Sequence, residues 1–218
     1  MGLMQNIATY LRGTSGPPVP TESDIYKNLL MAQGALPHEE ITRLGGGWGT
    51  MATSAVAALV VRPTVTAAFE IFNAHPLGGK SLVIDRIFSH WLVQSTTALG
   101  SGAGIYAMVT TTKAAPATGN FVIASTRGKR AGADSTSGSP VIAAAGTTVV
   151  DNGWFPYGFT VKHESAGAVV PGGVLEAIIQ GRLIVPPQCS LCLHVVSGYV
   201  ADTFTSGATW FERQLTIE

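Results

Sequence analysis

The chain has 218 residues, of which 46% are hydrophobic and only 12% charged, with 13 basic side chains against 13 acidic ones. Such a length buries a core without disulfide or metal staples, and the balanced charge disfavours nucleic acid as a partner, because phosphate binding needs a net basic face. A soluble domain ordinarily has roughly a quarter of its residues charged, so this chain is expected to be a subunit whose surface is partly covered by neighbours.

Residues 1–20 pair a short apolar start, Ile7 to Leu11, with Gly13, Gly16 and the run Pro17-Pro18-Val19-Pro20. This composition predicts an extended, semi-rigid arm. Gln5, Asn6 and Arg12 break up any secretory apolar region, and Asn6 stands where a myristoylation motif needs Ser or Thr. Thr21 is a suitable helix cap, with Glu22 and Asp24 in the first turn and Ile25, Tyr26, Leu29 and Leu30 recurring at helical spacing. A helix is therefore expected over about residues 22–33, its stripe suited to docking on the chain's own β domain or on a partner. A second helical turn is expected from Pro37 through Glu39, Glu40 and Ile41, ending before Gly45-Gly46-Gly47. The domain reading is an N-terminal arm over residues 1–50 and a β domain over 51–218.

From Met51 onward the pattern is that of strands. Ala55 to Val61, Thr64 to Phe72, Leu82 to Val93, Gly104 to Thr112 and Phe121 to Ser125 are separated by segments rich in Gly and Pro. The longest apolar run, Ala55 to Val61, is far short of the roughly 20 residues that span a bilayer, so no membrane partner is expected. Leu82 to Val93 is apolar on both faces, which predicts a strand covered on both sides. Asp85, Arg86 and His90 interrupt it and are read as surface residues, with a buried ion pair or an intersubunit contact as the alternative. Arg127 to Gly138 is a polar loop or hairpin tip, and Val141 to Val150 resumes strand character.

Asp151-Asn152-Gly153 predicts a turn ahead of Trp154-Phe155-Pro156-Tyr157-Gly158-Phe159. This aromatic cluster suits core or interface packing, and alternatively an exposed platform for a sugar or protein, with Trp154, Phe155 and Tyr157 as its contact residues. Beyond it, short Val-, Ile- and Leu-rich runs are punctuated by Pro171-Gly172-Gly173, Gln180-Gly181, Pro186-Pro187 and Ser206-Gly207, so successive antiparallel strands joined by tight turns are expected. Pro186 and Pro187 cannot donate to a central ladder and belong at a strand end or edge, with Ser190 to Ser197 as the following strand.

Motifs that carry chemistry are sparse. Cys189 and Cys192 lie three apart in an expected strand, so their side chains point to opposite faces and suit neither a shared metal nor an easy disulfide. Gly79-Lys80-Ser81 resembles the end of a phosphate-binding loop, but Ala74 occupies the first glycine position and Pro76 lies inside the loop. Gly45 and Gly100 open no dinucleotide fingerprint, and no serine stands in a nucleophile elbow. His163-Glu164 offers a base with an orienting carboxylate, and His194 shares a strand face with Cys192 and Val196. The five histidines are otherwise scattered, so no catalytic residue, no metal ligand and no cofactor is expected. Arg127, Lys129 and Arg130 place three positive charges in four residues, read as a solvated loop tip or as a contact to an acidic patch on a partner.

Val169-Val170-Pro171-Gly172-Gly173, Leu183-Ile184-Val185-Pro186-Pro187, Leu191 to Val196 and Trp210-Phe211-Glu212-Arg213, behind a proline-rich arm, make the chain resemble viral jelly-roll structural proteins, particularly the decoration, cement or minor capsid proteins of tailed phages. The resemblance implies an antiparallel two-sheet sandwich of jelly-roll type, made in the host cytoplasm and built into the virion. It further implies association with itself as a trimer or larger, and with other capsid proteins. On that reading Pro17, Pro18, Ile25, Tyr26, Leu29 and Leu30 of the arm and helix are the partner-binding residues. A receptor- or carbohydrate-binding module of a phage particle is the alternative.

Overall fold

The computed structural model describes residues 46–93, 102–111, 114–117, 127–128, 140–161 and 173–215. The helix expected near 22–33, the arm before it and the run Phe121 to Ser125 lie outside these residues. The described residues are mainly β and include no helix, so none is long and apolar enough to cross a membrane. Their strands are β1 (Gly47–Met51), β2 (Val56–Ala57), β3 (Thr66–Asn73), β4 (Lys80–Val93), β5 (Gly102–Val109), β6 (Arg127–Gly128), β7 (Val141–Thr148), β8 (Phe155–Val161), β9 (Val174–Ile178), β10 (Ile184–Val185), β11 (Ser190–Ser197) and β12 (Thr203–Gln214).

They form two antiparallel sheets. One runs β10-β4-β12-β1-β6, with β2 also pairing β12 and β9 also pairing β4; the other runs β7-β3-β11-β5-β8. Trp48, Leu82, Ile84, Ile87, Val185 and Trp210 of the first sheet pack against Phe69, Ile71, Ile105, Leu191 and Leu193 of the second in one apolar cluster. Burying this surface is the main favourable term in folding, at about 25 cal/mol per Å² of apolar area removed from water.

The long strand β4 shows how local irregularity serves this core. Trp210 pairs with Ile84 and Thr209 with Arg86, leaving Asp85 as an extra residue opposite no partner. This bulge reverses the inward-outward alternation, so Ile84 and Ile87, three apart, are both fully buried between the sheets. The bulged carbonyl is used, since Asp85 O accepts from the amides of Ile179 at 2.7 Å and Gln180 at 2.9 Å as the chain turns after β9. Arg86 lies at the surface and pairs with Glu176 at 2.8 Å.

Three expectations need correction. Ser206-Gly207 is not a turn but the middle of β12. Gly207 is required there because a Cβ would stand 2.5 Å from the Thr50 carbonyl oxygen and 2.6 Å from the Phe88 ring, so the glycine marks a close approach of neighbouring strands. Ala55 to Val61 is not one strand. Val56 and Ala57 pair with β12, and Leu59 then bridges to Val196 in the other sheet, so the segment crosses between layers. The sheet also starts before residue 51, since Gly47 to Met51 pair with Phe211 to Gly207.

Candidate functional site

Strand β8 closes one edge of the five-stranded sheet, and the turn before it sets its side chains. Asp151 Oδ1 accepts from the Gly153 amide at 2.9 Å, while Arg62 grips both Asp151 oxygens at 2.8 and 3.1 Å. The guanidinium holds the Asp151 carboxyl below its ordinary value, although an exposed pair of this kind contributes little stability. Asn152 ties the turn to Thr111 through bonds of 3.1 and 3.2 Å.

This anchoring directs Trp154 inward. It is 4% exposed, packs with Ala67, Met108 and Cys192 on the side of the sheet away from the main core, and donates from its indole nitrogen to Thr64 O at 3.0 Å. Trp154 is therefore no part of an exposed platform. Phe155 and Phe159 are, at 63% and 73% exposure. Between them a bulge in the β5–β8 pairing leaves Tyr157 without a cross-strand partner. Tyr157 packs against the main core, lies edge-on to Phe155 with ring centroids 5.7 Å apart, and has its hydroxyl pKa raised by burial.

The first sheet has its own edge strand here, β9. Leu175 and Ala177 point inward, while Val174 and Ile178 are 59% and 51% exposed. β8 and β9 belong to different sheets yet run close together, for a Cβ on Gly158 would stand 3.0 Å from Ile105 Cγ2 and 3.3 Å from Glu176 O. Phe155 pairs with core-facing Ala107 and Phe159 with Gly104 on the other face of β5, so across the bulge the two rings lie on opposite faces of β8, while Val174 and Ile178 lie on the outer face of β9 in the other sheet. Sequence reasoning missed Val174 and Ile178 because Glu176 stands between them in VLEAI and gives the run a mixed look. The signal was alternation, which places Val174, Glu176 and Ile178 on one face and Leu175 and Ala177 on the other.

The remaining candidates are dispersed. Arg127 belongs to the two-residue strand β6, pairing with Gly49 of β1, whereas Lys129, Arg130, Pro17, Pro18, Ile25, Tyr26, Leu29, Leu30 and His163 fall outside the described residues. His194 is 2% exposed; its Nδ1 accepts from the Val195 amide at 2.9 Å, and burial lowers its pKa, so the ring is a neutral, enclosed group. On the same face of the five-stranded sheet, Ser190 Oγ donates to buried Glu70 at 2.5 Å, and Cys192 faces Glu70 across the strand pair. Burial, with Glu70 adding to it, pushes the Cys192 thiol well up, which suppresses the thiolate needed for reactivity. Cys189 lies instead in the core between the sheets, and neither cysteine is in a disulfide. Among the described residues no group of three His, Cys, Asp or Glu is arranged to hold a metal ion.

No family model, curated protein or solved structure matches this chain.

Proposed function

We propose that this protein is a non-enzymatic virion structural subunit, a two-sheet sandwich of jelly-roll type that associates with copies of itself, as a trimer or larger, and with neighbouring capsid proteins in a decoration, cement or minor capsid role. The observation that supports the reading is that four large apolar side chains, Phe155, Phe159, Val174 and Ile178, are exposed on the neighbouring edge strands β8 and β9. Large apolar groups gathered at a sheet edge favour covering by another chain, and the low charge content of 12% points the same way.

Magnitudes decide how such a surface acts. Fully burying a large apolar side chain yields about 1.5–3 kcal/mol; these four are already part-buried and lie on different faces, so a single contact gains only a fraction of their sum against an association cost of about 4–15 kcal/mol. An isolated pair is therefore weak. Tight assembly then needs further contacts, and the proline-rich arm with the expected helix at 22–33 supplies them as a second, linked attachment.

The test is the mass of the full-length protein by light scattering, beside Phe155→Thr/Phe159→Thr and a form lacking residues 1–34. A trimer or larger species that dissociates in both variants, with each still folded by circular dichroism, supports the reading; unchanged mass in both sinks it. The rival reading, a receptor- or carbohydrate-binding module of a phage particle, is favoured by the accessible rings of Phe155 and Phe159. Glycan-array binding lost in Phe159→Ala with no change in mass would select it.

A further inference from the structure

Of the five asparagines in the chain, Asn152 alone is followed by glycine. A side chain on the following residue ordinarily keeps that residue's backbone nitrogen off the asparagine carboxamide carbon. Gly153 has none, and a Cβ built there would meet nothing within 4 Å. Gly153 also sits at φ +105°, in the left-handed region that glycine enters freely, and both residues are exposed.

Three hydrogen bonds hold the pair. The Thr111 amide donates to Asn152 Oδ1 at 3.2 Å, Asn152 Nδ2 donates to Thr111 Oγ1 at 3.1 Å, and the Gly153 amide donates to Asp151 Oδ1 at 2.9 Å. The first two pin the carboxamide to the segment after β5. The third sets the Gly153 N–H against a carboxylate that Arg62 keeps ionised, and a neighbouring negative charge disfavours loss of the amide proton. All three bonds lie at the surface, where water competes for each partner, so the turn opens locally far more often than the protein unfolds.

We propose that Asn152 is a site of spontaneous covalent modification, converted through a succinimide to aspartate and isoaspartate when the turn opens, with Thr111 as the residue that restrains it. Hydroxide from water removes the Gly153 amide proton, and the nitrogen attacks Asn152 Cγ. The N–Cγ bond forms, the Cγ–Nδ2 bond breaks, and Nδ2 leaves as ammonia with a proton from water. A second water then opens the ring. Cleavage of the new N–Cγ bond gives aspartate, and cleavage of the bond from the Asn152 carbonyl carbon to Gly153 N gives isoaspartate, with the main chain running on through Cγ. Nothing is oxidised or reduced. Isoaspartate puts one extra carbon into the main chain between the Arg62–Asp151 anchor and Trp154, so the turn no longer fixes the start of β8. The reaction is independent of assembly.

The experiment is peptide mapping by mass spectrometry of the full-length folded protein during incubation in mildly alkaline buffer, with aspartate and isoaspartate forms separated by chromatography, beside the urea-unfolded protein and Thr111→Val. Conversion at Asn152 is expected ahead of Asn6, Asn28, Asn73 and Asn120 in the folded protein, and faster in urea. Thr111→Val, at an exposed position, loses the bond to Nδ2 and is expected to convert about twofold to tenfold faster than the wild type while still folded by circular dichroism. The isoaspartate fraction is expected to melt below the intact protein. Asn152 left intact in the folded protein after the urea-unfolded chain has converted would overturn the proposal, as would a Thr111→Val rate equal to or below that of the wild type. An isoaspartate fraction that melts together with the intact protein would overturn the link to β8.

Discussion

Strands β11 and β8 stand two places apart in the same sheet and have opposite fates. β11, SLCLHVVS, is buried at every position but Val196, with Leu191 and Leu193 in the core between the sheets and Cys192 in a smaller cluster on the other face. β8, FPYGFTV, is the more aromatic strand, yet it leaves Phe155 and Phe159 largely in solvent. Apolar content does not set the difference. β11 has a paired strand on each side, β3 and β5, whereas among the described residues β8 has β5 on one side and none on the other. Burial is therefore a property of position in the sheet as well as of apolar content.

That contrast is open to attack from its strongest side first. Leu193→Ala, at a fully buried core position, is expected to cost about 2–5 kcal/mol in chemical denaturation; a cost under 1 kcal/mol would mean that the middle of β11 is not the packed centre described. Gly207→Ala tests the neighbouring sheet. The added methyl meets the Thr50 carbonyl and the Phe88 ring below 3 Å, so a loss of about 1–3 kcal/mol is expected from overpacking, measured in the same way.

The third prediction concerns His194. Its folded-state pKa is lowered, so the fold favours the neutral ring. Above the unfolded-state value of about 6.5 both states are neutral and stability is full. As pH falls from there towards the lowered folded-state value, only the unfolded chain gains a proton and stability drops. The wild type should accordingly lose more thermal stability between pH 7.5 and pH 5 than His194→Leu does; equal losses would show that the ring is accessible to protons. The smallest effect falls on β8. Phe155→Thr/Phe159→Thr should change monomer stability by no more than about 0.5 kcal/mol per site, as exposed positions do, so a large loss would make these rings part of the core.

Much of the architecture was legible along the chain. Pro186 and Pro187 do follow the end of a strand, and Ser190–Ser197 is the next strand, because a proline cannot donate to a ladder wherever the fold places it. Cys189 and Cys192 do face opposite sides of the sheet, although Cys189 lies just before β11 and not within it as the spacing suggested. The aromatic cluster was legible as a group but not in its division. Trp154 turns inward because the Arg62–Asp151 pair and the Asn152–Thr111 bonds anchor the preceding turn from 41 to 89 residues away in sequence, which no local window contains.

What the sequence determined by itself is the mainly antiparallel β character, through alternation, β-branched runs and the placing of Gly and Pro, all of which act over a few residues. Only the tertiary structure decided which glycine is a turn and which, like Gly207, is a gap for a neighbour's ring, and where a bulge at Asp85 reverses the faces of β4. The same holds for the exposed edge of β8 and β9 and the bonds that hold Asn152 to Thr111. The reason is physical: a strand's side chains alternate by local geometry, but its neighbours, and hence its exposure and the partners of its polar groups, come from segments far away in the chain.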